Sequence, residues 1–449
     1  MARLFGTDGV RGLANVDLTA PLALELGEAA ARLTIQGRPA SGHKPKAIIG
    51  RDTRISGEFL DHALAAGLAS AGMDVVRVGV VTTPTVAHLT ASSSVDLGVM
   101  ISASHNPMPD NGIKFFAHGG YKLPDQVEDQ IQELLNTPWD RPTGAAVGEV
   151  EYDDDWAEKS YIEHLMTSLG TDLHGLRIAV DCANGGASFL APEAFRQAGA
   201  DAVVINAAPD GRNINDKAGS THPEQLQALT VASEADFGVA YDGDADRCLA
   251  VDRDGNIVDG DKIMGALAVH MRDEGQLAKD TLVVTVMSNL GLILAMQEAG
   301  IKTVQTGVGD RYVLEAMLEG GYSLGGEQSG HIIAKKYATT GDGILSSLLL
   351  ARMVKESGRD LADLTSFIKR LPQTLINVGG VDRSRANTDP AVQEAVAAAE
   401  AVLGNTGRVL LRPSGTEPLV RVMVEAATQS QADGVASRLA DVVKENLAL

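Results

Sequence analysis

"VDLGVMISASHNP", residues 95–107, runs from an apolar segment straight into a loop holding two serines, a histidine, an asparagine and a proline. Upstream of it stand "KAIIGRD" (46–52), a helical segment ending "LAAGLASAG" (64–72), "MDVVRVGVV" (73–81) and a second helix from "TPTVAHLTASS" (83–93). Short β-branched runs alternating with helix-period segments that end in Gly read as strand, helix, strand, helix, strand. The unit recurs twice. "RIAVDCANG" (177–185) leads through "AFRQAGA", "DAVVIN" and "HPEQLQALTVASEA" to "DFGVAYDGDADR" (236–247). "TLVVTVMSN" (281–289) leads through "AMQEAGI", "KTVQTGVG" and "DRYVLEAMLEGG" to "YSLGGEQSGH" (322–331). Alternating β and α segments of this length imply parallel sheets with right-handed crossovers.

Aromatic residues make up only 4% of the 449-residue chain, which suits close packing of small side chains between helices and sheets. The expected fold class is α/β: three similar α/β domains with mixed, mainly parallel sheets. The C-terminal part breaks the repeat. "TLINVGGVD" (374–382), a helix over "DPAVQEAVAAAEAVLG", the strands "GRVLLRPSGTEP" and "LVRVMVEA", and a final amphipathic helix read as a smaller α+β domain with antiparallel strands. The Pro-, Gly- and acid-rich stretch 136–155 reads as a linker. The expected domains are 1–153, 154–255, 256–370 and 371–449.

Each third strand of a repeat exits into a polar loop: "SASHNP", "DGDADR" or "GEQSGH". Ligands of open α/β sheets bind beyond the carboxyl ends of the strands, so the three loops are expected to meet in a cleft. Surface turns use the same residue types, but need neither this much charge nor equivalent positions. Asp242, Asp244 and Asp246 stand at i, i+2 and i+4, which in an extended chain aims three carboxylates one way, toward a divalent cation such as Mg²⁺. An EF-hand is excluded, because Arg247 and Arg253 stand where that loop needs Gly and Glu. Glu327 and Ser329 suit neighbouring hydroxyl or amino groups of a sugar ring. "RPSGTEP" (412–418) offers Arg412, Ser414, Gly415 and Thr416, with Arg421 on the next strand, as a phosphate cradle.

Lys plus Arg number 38 against 59 Asp plus Glu, a net charge of −21. Such a chain repels nucleic acid and anionic membranes, so neither is an expected partner, and an anionic substrate needs a local basic cluster. Arg11, Lys114, Arg247, His331, Arg412 and Arg421 are its candidates, whereas Arg51 and Arg54 are assigned to tying down their own loop. Two cysteines, Cys182 and Cys248, give no disulfide framework and fit a reducing compartment. With no apolar leader and no long uncharged apolar run, a cytoplasmic protein is expected. The chain has no GxxxxGK[ST], no GxGxxG after a strand and no GxSxG, which removes support for nucleotide binding, hydride transfer and α/β-hydrolase chemistry.

A serine, a cation site, a sugar reader and a phosphate cradle point to phosphoryl transfer on a sugar phosphate, with the serine as covalent carrier. "SASHNP", "DGDADR", "GEQSGH" and "RPSGTEP", with "FGTDGVRG" (5–12) and "RDTRISG" (51–57), resemble the active-site loops of the α-D-phosphohexomutase family over essentially the whole chain. That resemblance implies a four-domain, heart-shaped isomerase around a central cleft. Its nearest branch interconverts glucosamine 6-phosphate and glucosamine 1-phosphate through a sugar 1,6-bisphosphate, on the route to UDP-N-acetylglucosamine and cell-wall precursors. It implies a phosphoserine at Ser104, one Mg²⁺ held by that phosphate with Asp242, Asp244 and Asp246, sugar contacts from Glu327 and Ser329, and distal-phosphate contacts from Arg412, Ser414, Gly415, Thr416 and Arg421. Arg11, Lys114, His331 and Arg247 would assist proton transfer or phosphate binding, and a homodimer is the expected assembly. Mannose- or glucose-phosphate mutation, a Mg²⁺-dependent sugar phosphatase and a non-catalytic sugar-phosphate sensor stand as the alternatives.

Overall fold

The structure, a computed structural model, describes residues 3–37, 44–413 and 419–449. The chain forms two compact units, one of Met1–Met287 with Ile301–Ser366 and the other of Ser288–Gly300 with Phe367–Leu449.

The three repeats build three sheets in the first unit, and in each the first strand lies between the other two. Lys46–Arg51 pairs in parallel with Asp74–Val80 and Leu97–Ile101. Arg177–Asp181 does so with Asp201–Ile205 and Phe237–Tyr241, and Thr281–Thr285 with Lys302–Thr306 and Leu324–Gly326. All residues of Leu97–Ile101 and Phe237–Tyr241 are buried, as expected of strands covered by helices on both faces. After its polar loop each copy returns antiparallel beside its third strand, as Asp110–Ala117, Cys248–Asp252 and Ile332–Ala334. The loops are therefore the connections between a parallel strand and its antiparallel neighbour. An N-terminal strand, Val10–Leu13, extends the first sheet with Arg11 opposite Gly112, which sets Arg11 near Lys114.

Small residues bring the helices close. A Cβ on Gly67 would lie 2.1 Å from the Leu24 carbonyl oxygen and one on Gly27 2.6 Å from that of Leu64, so helices Ala20–Gly37 and Ile55–Ser70 touch backbone to backbone. Among the described residues, no helix is long and apolar enough to cross a membrane.

The second unit carries an antiparallel sheet in the order Gln373–Gly379, Leu419–Glu425, Arg408–Pro413. Helices Pro390–Leu403 and Gln429–Asn446 supply Val392, Leu439 and Val443 to a core shared with Val420, Val422 and Val424. Helix Leu290–Glu298, from the third repeat, belongs to this unit. Its start is held by the buried Glu425, which accepts from the Leu290 N–H at 2.9 Å and Asn289 Nδ2 at 3.1 Å and pairs with Arg408 at 2.7 Å. Glu425→Ala removes all three interactions and leaves Arg408 without its counter-charge, so the second unit should lose about 3 kcal/mol. Urea unfolding followed by circular dichroism measures this, and an unchanged midpoint would contradict the assigned role of Glu425.

Candidate active site

Ser104 is buried and adopts φ +53°, a left-handed conformation that costs a non-Gly residue about 1–3 kcal/mol. What holds it is the fully buried Arg54. Its guanidinium donates to the carbonyls of Ser104 (3.0 Å), Asn106 (2.8 Å), Pro107 and Asp110 (3.0 Å), while Nε pairs with Asp52 at 2.9 Å. Arg54 thus organises the serine loop as well as its own, which corrects the expectation from sequence. Arg51, by contrast, pairs with Asp61, at 3.9 Å. Ser102 links the two loops, donating to Asp52 at 2.6 Å and accepting from the Ser104 N–H at 2.9 Å. Asn215, from the second α/β domain, adds a bond to the Ser104 carbonyl at 2.8 Å.

The loop aims the Ser104 hydroxyl at Asp242, to which it donates at 2.5 Å. The ligand oxygens of Asp242, Asp244 and Asp246 lie within 4.8 Å of one another, and all three residues are buried. Their convergence does not come from an extended chain, as the i, i+2, i+4 spacing suggested. Residues 242–247 form a turn with Ala245 at φ +55°. In each carboxylate one oxygen is engaged: Asp242 by Ser104, Asp244 by Thr83 at 2.6 Å and Lys114 at 2.9 Å, Asp246 by His331 at 3.5 Å. The other oxygen of each is buried and has no hydrogen-bond partner. Three buried carboxylates this close together, each with an oxygen that makes no hydrogen bond, fit a divalent cation.

Three helices from three domains support this turn. The Gly186 N–H donates to the Gly243 carbonyl at 2.8 Å, Thr83 N–H to Asp244 at 3.0 Å and Gly343 N–H to Ala245 at 2.9 Å. Each donor begins a helix, Ala187–Gln197, Thr83–Ser92 or Gly343–Ser357, so the positive ends of three helix dipoles face the acidic loop. Gly343 is required there, because a Cβ would stand 2.4 Å from the Arg247 carbonyl oxygen.

Around the triad runs a ring of alternating acidic and basic side chains. Lys114 lies 3.1 Å from Asp8 and 3.9 Å from Asp246; His331 lies 3.5 Å from both Asp246 and Asp310; Lys122 joins Asp310 at 2.5 Å to Asp8 at 2.6 Å. Arg11 also pairs with Asp8, and Arg247 approaches Asp246 at 3.8 Å. Burial and the charges of Asp246 and Asp244 push the Asp242 carboxyl well above its usual range. Burial works against Lys114, but Asp244, Asp8 and Asp246 outweigh it and keep the ammonium charged. Burial would also neutralise Asp246, yet its hydrogen bond to His331 and the charges of His331 and Lys114 hold it ionised. Burial opposes a charge on His331, but its hydrogen bond to Asp246 and the charges of Asp246 and Asp310 raise it; Nδ1 faces Asp246, and Nε2 lies 2.9 Å from the Gly341 nitrogen. Burial and the nearby Arg247 and Arg11 lower His105 to about 4, so its ring, 3.4 Å from the Ser104 hydroxyl, is neutral at pH 7.

In the sugar loop, Glu327 Oε1 accepts the Gly309 N–H at 3.1 Å, and Ser329 is exposed. In the second unit Arg412 and Arg421 face each other across adjacent strands, an arrangement of like charges that favours a bound anion. Ser414, Gly415 and Thr416 lie outside the described residues. Of the predicted residues in the first unit, Ser104, the three aspartates, Arg11, Lys114, Arg247 and His331 come together. Sequence reasoning missed Asp8, Thr83, Lys122, Asn215 and Asp310. Asp8 and Asp310 sat in quoted Gly-rich turns, "FGTDGVRG" and "KTVQTGVG" with the following Asp, but isolated acids in turns carry no distinguishing signal. Cys182 and Cys248 are free and buried, and burial raises both thiols.

A serine poised over a buried acidic triad, at the carboxyl ends of three repeated α/β sheets, defines a phosphoryl-transferring mutase. The chain belongs to the phosphoglucomutase/phosphomannomutase family, an isomerase family. That family's alpha/beta/alpha domains I, II and III match residues 2–140, 159–255 and 259–371, and its C-terminal domain matches 375–442. The chain is 61% identical over 454 residues to the phosphoglucosamine mutase of Bifidobacterium animalis subsp. lactis, with all of both proteins covered. A phosphoglucomutase/phosphomannomutase family protein from Burkholderia thailandensis has a similar crystal structure, with a TM-score of 0.81 and 26% identity over 99% of this chain and 97% of that one. The Aspergillus fumigatus N-acetylphosphoglucosamine mutase, solved with GlcNAc-6P and magnesium, shares the fold at a TM-score of 0.70 and 20% identity, covering 99% and 96%.

The unpartnered oxygens give a direct test. Added Mg²⁺ at about 100 times its Kd should stabilise the protein by about 2.7 kcal/mol. Asp244→Ala should abolish that shift in a thermal melt, and an equal shift in the variant would place the cation elsewhere. Arg54→Lys keeps the charge but loses the fork, so it should cost about 2 kcal/mol and most of the turnover. Wild-type turnover in that variant would show that Arg54 does not organise Ser104.

Proposed function

We propose that this chain interconverts glucosamine 6-phosphate and glucosamine 1-phosphate, with Ser104 carrying a phosphoryl group between turnovers. The observation that carries the reading is the Ser104 hydroxyl held 2.5 Å from Asp242 amid three unpartnered carboxylate oxygens. A phosphate on Ser104 would add the oxygen that completes a Mg²⁺ site with Asp242, Asp244 and Asp246. A bound Mg²⁺ there supplies charge neutralisation of the transferring group. The choice of an amino sugar is supported by the 61% identical relative and by the "EQS" of the sugar loop.

In the first half-reaction a sugar hydroxyl attacks phosphorus, the Ser104 Oγ–P bond breaks, and the product is glucosamine 1,6-bisphosphate. Lys114 and Arg247 are fixed cations beside the transferring group, and their neighbours keep them charged. Lys114 in this state is a charge stabiliser rather than a base. Arg11, a permanent cation beside Asp8, holds phosphate oxygens, and the proton lost by the attacking hydroxyl returns to the departing Ser104 Oγ, with His331 as the titratable group of the ring that relays it. Glu327 and Ser329 hold the sugar, while Arg412, Ser414, Gly415, Thr416 and Arg421 hold the phosphate that is not reacting. The bisphosphate then turns end over end and returns its other phosphate to Ser104. The same bisphosphate, supplied from solution, reloads an unphosphorylated serine. The free, buried Cys182 and Cys248 support work in the reducing cytoplasm, with a homodimer as the expected assembly.

Intact-mass measurement of the purified protein should show a species carrying one phosphate, absent from Ser104→Ala. That variant should lose about 10³-fold or more in turnover while binding glucosamine 6-phosphate. Steady release of inorganic phosphate in place of the 1-phosphate isomer would overturn the mutase reading in favour of hydrolysis.

A further inference from the structure

Helix Gly260–Asp273 begins directly against the sugar loop. The Gly260 N–H donates to the Gln328 carbonyl at 3.1 Å, and a Cβ on Gly260 would stand 2.4 Å from the Glu327 carbonyl oxygen. The loop closes on itself through the Gly330 N–H, which donates to the Glu327 carbonyl at 3.0 Å, and the Cys248 N–H fastens the Gly330 carbonyl at 3.0 Å. Backbone contacts therefore set where the loop lies. One residue into the helix, the buried Asp261 adds a contact of another kind: its Oδ2 accepts from Gln328 Nε2 at 3.0 Å. Asp259 caps the helix, accepting the Lys262 N–H at 3.2 Å, so the cap does not depend on Asp261.

A carboxylate only accepts hydrogen bonds, so the Gln328 amide meets Asp261 with its NH2 end and not with its carbonyl. The end left over is Oε1, which receives no donor from the described residues. Gln328 is half-buried and stands between Glu327 and Ser329. A 2-ammonium group offers three N–H donors and bonds a carbonyl with charge assistance, whereas a 2-hydroxyl makes a weaker, neutral bond. With the amide turned over, its NH2 would face the ammonium and repel it.

Building on the proposed function, we infer that Asp261 is a positioning residue for sugar specificity. By holding the Gln328 NH2 it keeps the amide carbonyl toward the substrate, which favours the 2-ammonium group of a glucosamine phosphate over the 2-hydroxyl of a neutral hexose phosphate. Asp261 touches no substrate and acts only through Gln328.

The test compares kcat/KM for glucosamine 6-phosphate and glucose 6-phosphate in the full-length, Mg²⁺-loaded wild type, Asp261→Asn, Gln328→Leu and the double variant. An Asn side chain pairs with the Gln328 amide in either orientation, so Asp261→Asn should lower the preference for glucosamine 6-phosphate by about 10-fold, the loss of one charge-assisted hydrogen bond. Gln328→Leu should lower it as much. The double variant should fall no further, because the two residues act as one unit. A preference kept in either single variant, an equal fall for both substrates in Asp261→Asn, or additive falls in the double variant would overturn the inference. Should Asp261→Asn fail to fold, Asp261→Ser, which suits a helix start but lacks the reach to Gln328, is read in its place. A wild type without preference overturns the proposed function as well, whereas a wild-type preference that Asp261→Asn retains overturns this inference alone.

Discussion

Three carboxylates on one buried turn repel one another, and the first unit is arranged around offsetting that repulsion. Unit charges within 4.8 Å of one another oppose each other by at least about 3 kcal/mol per pair at an effective dielectric of about 20. Lys114, buried against Asp244, supplies a full positive charge. Three helix starts supply partial ones through the Gly243, Asp244 and Ala245 carbonyls. The free oxygens remaining on Asp242, Asp244 and Asp246 mark the compensation still due, which a divalent cation meets.

The same hydrogen bonds make the acidic turn the joint between domains. Its carbonyls accept from Gly186 in its own domain, Thr83 in the first and Gly343 in the third. Asp244 also takes the Thr83 hydroxyl, and Asp242 takes the Ser104 hydroxyl. Geometry at the cation site and packing of three α/β domains are therefore one quantity, and a shift in any of these helices is felt at the carboxylates. A serine in a left-handed conformation persists here because Arg54 and Asn215 fasten its carbonyl from two sides.

Beyond the joint, the alternating ring of Asp8, Lys114, Asp246, His331, Asp310 and Lys122 fixes protonation states as well as positions. Lys114 stays a cation and Asp246 stays ionised because each sits between opposite charges in a dry setting. A site built this way changes little in charge when the substrate arrives, which is what pre-organised electrostatic stabilisation requires.

Much was legible in the sequence because it is local. The repeat showed in the alternation of β-branched runs with Gly-stopped helices, and "SASHNP" and "DGDADR" stood out because several chemically active side chains fall within one loop. The antiparallel return strands were harder to see, since Asp110–Ala117 and Ile332–Ala334 begin within a few residues of the ends of the polar loops. What only the tertiary structure decided are the pairings across 50 residues or more: Arg54 with the serine loop, Thr83 with Asp244, and Lys122 with Asp310. A single charge or hydroxyl in a helix start or turn looks the same in sequence whether it meets solvent or a buried partner. Side-chain type and spacing determined which loops carry chemistry, while the partners that burial brings to them determined what charge and conformation each holds.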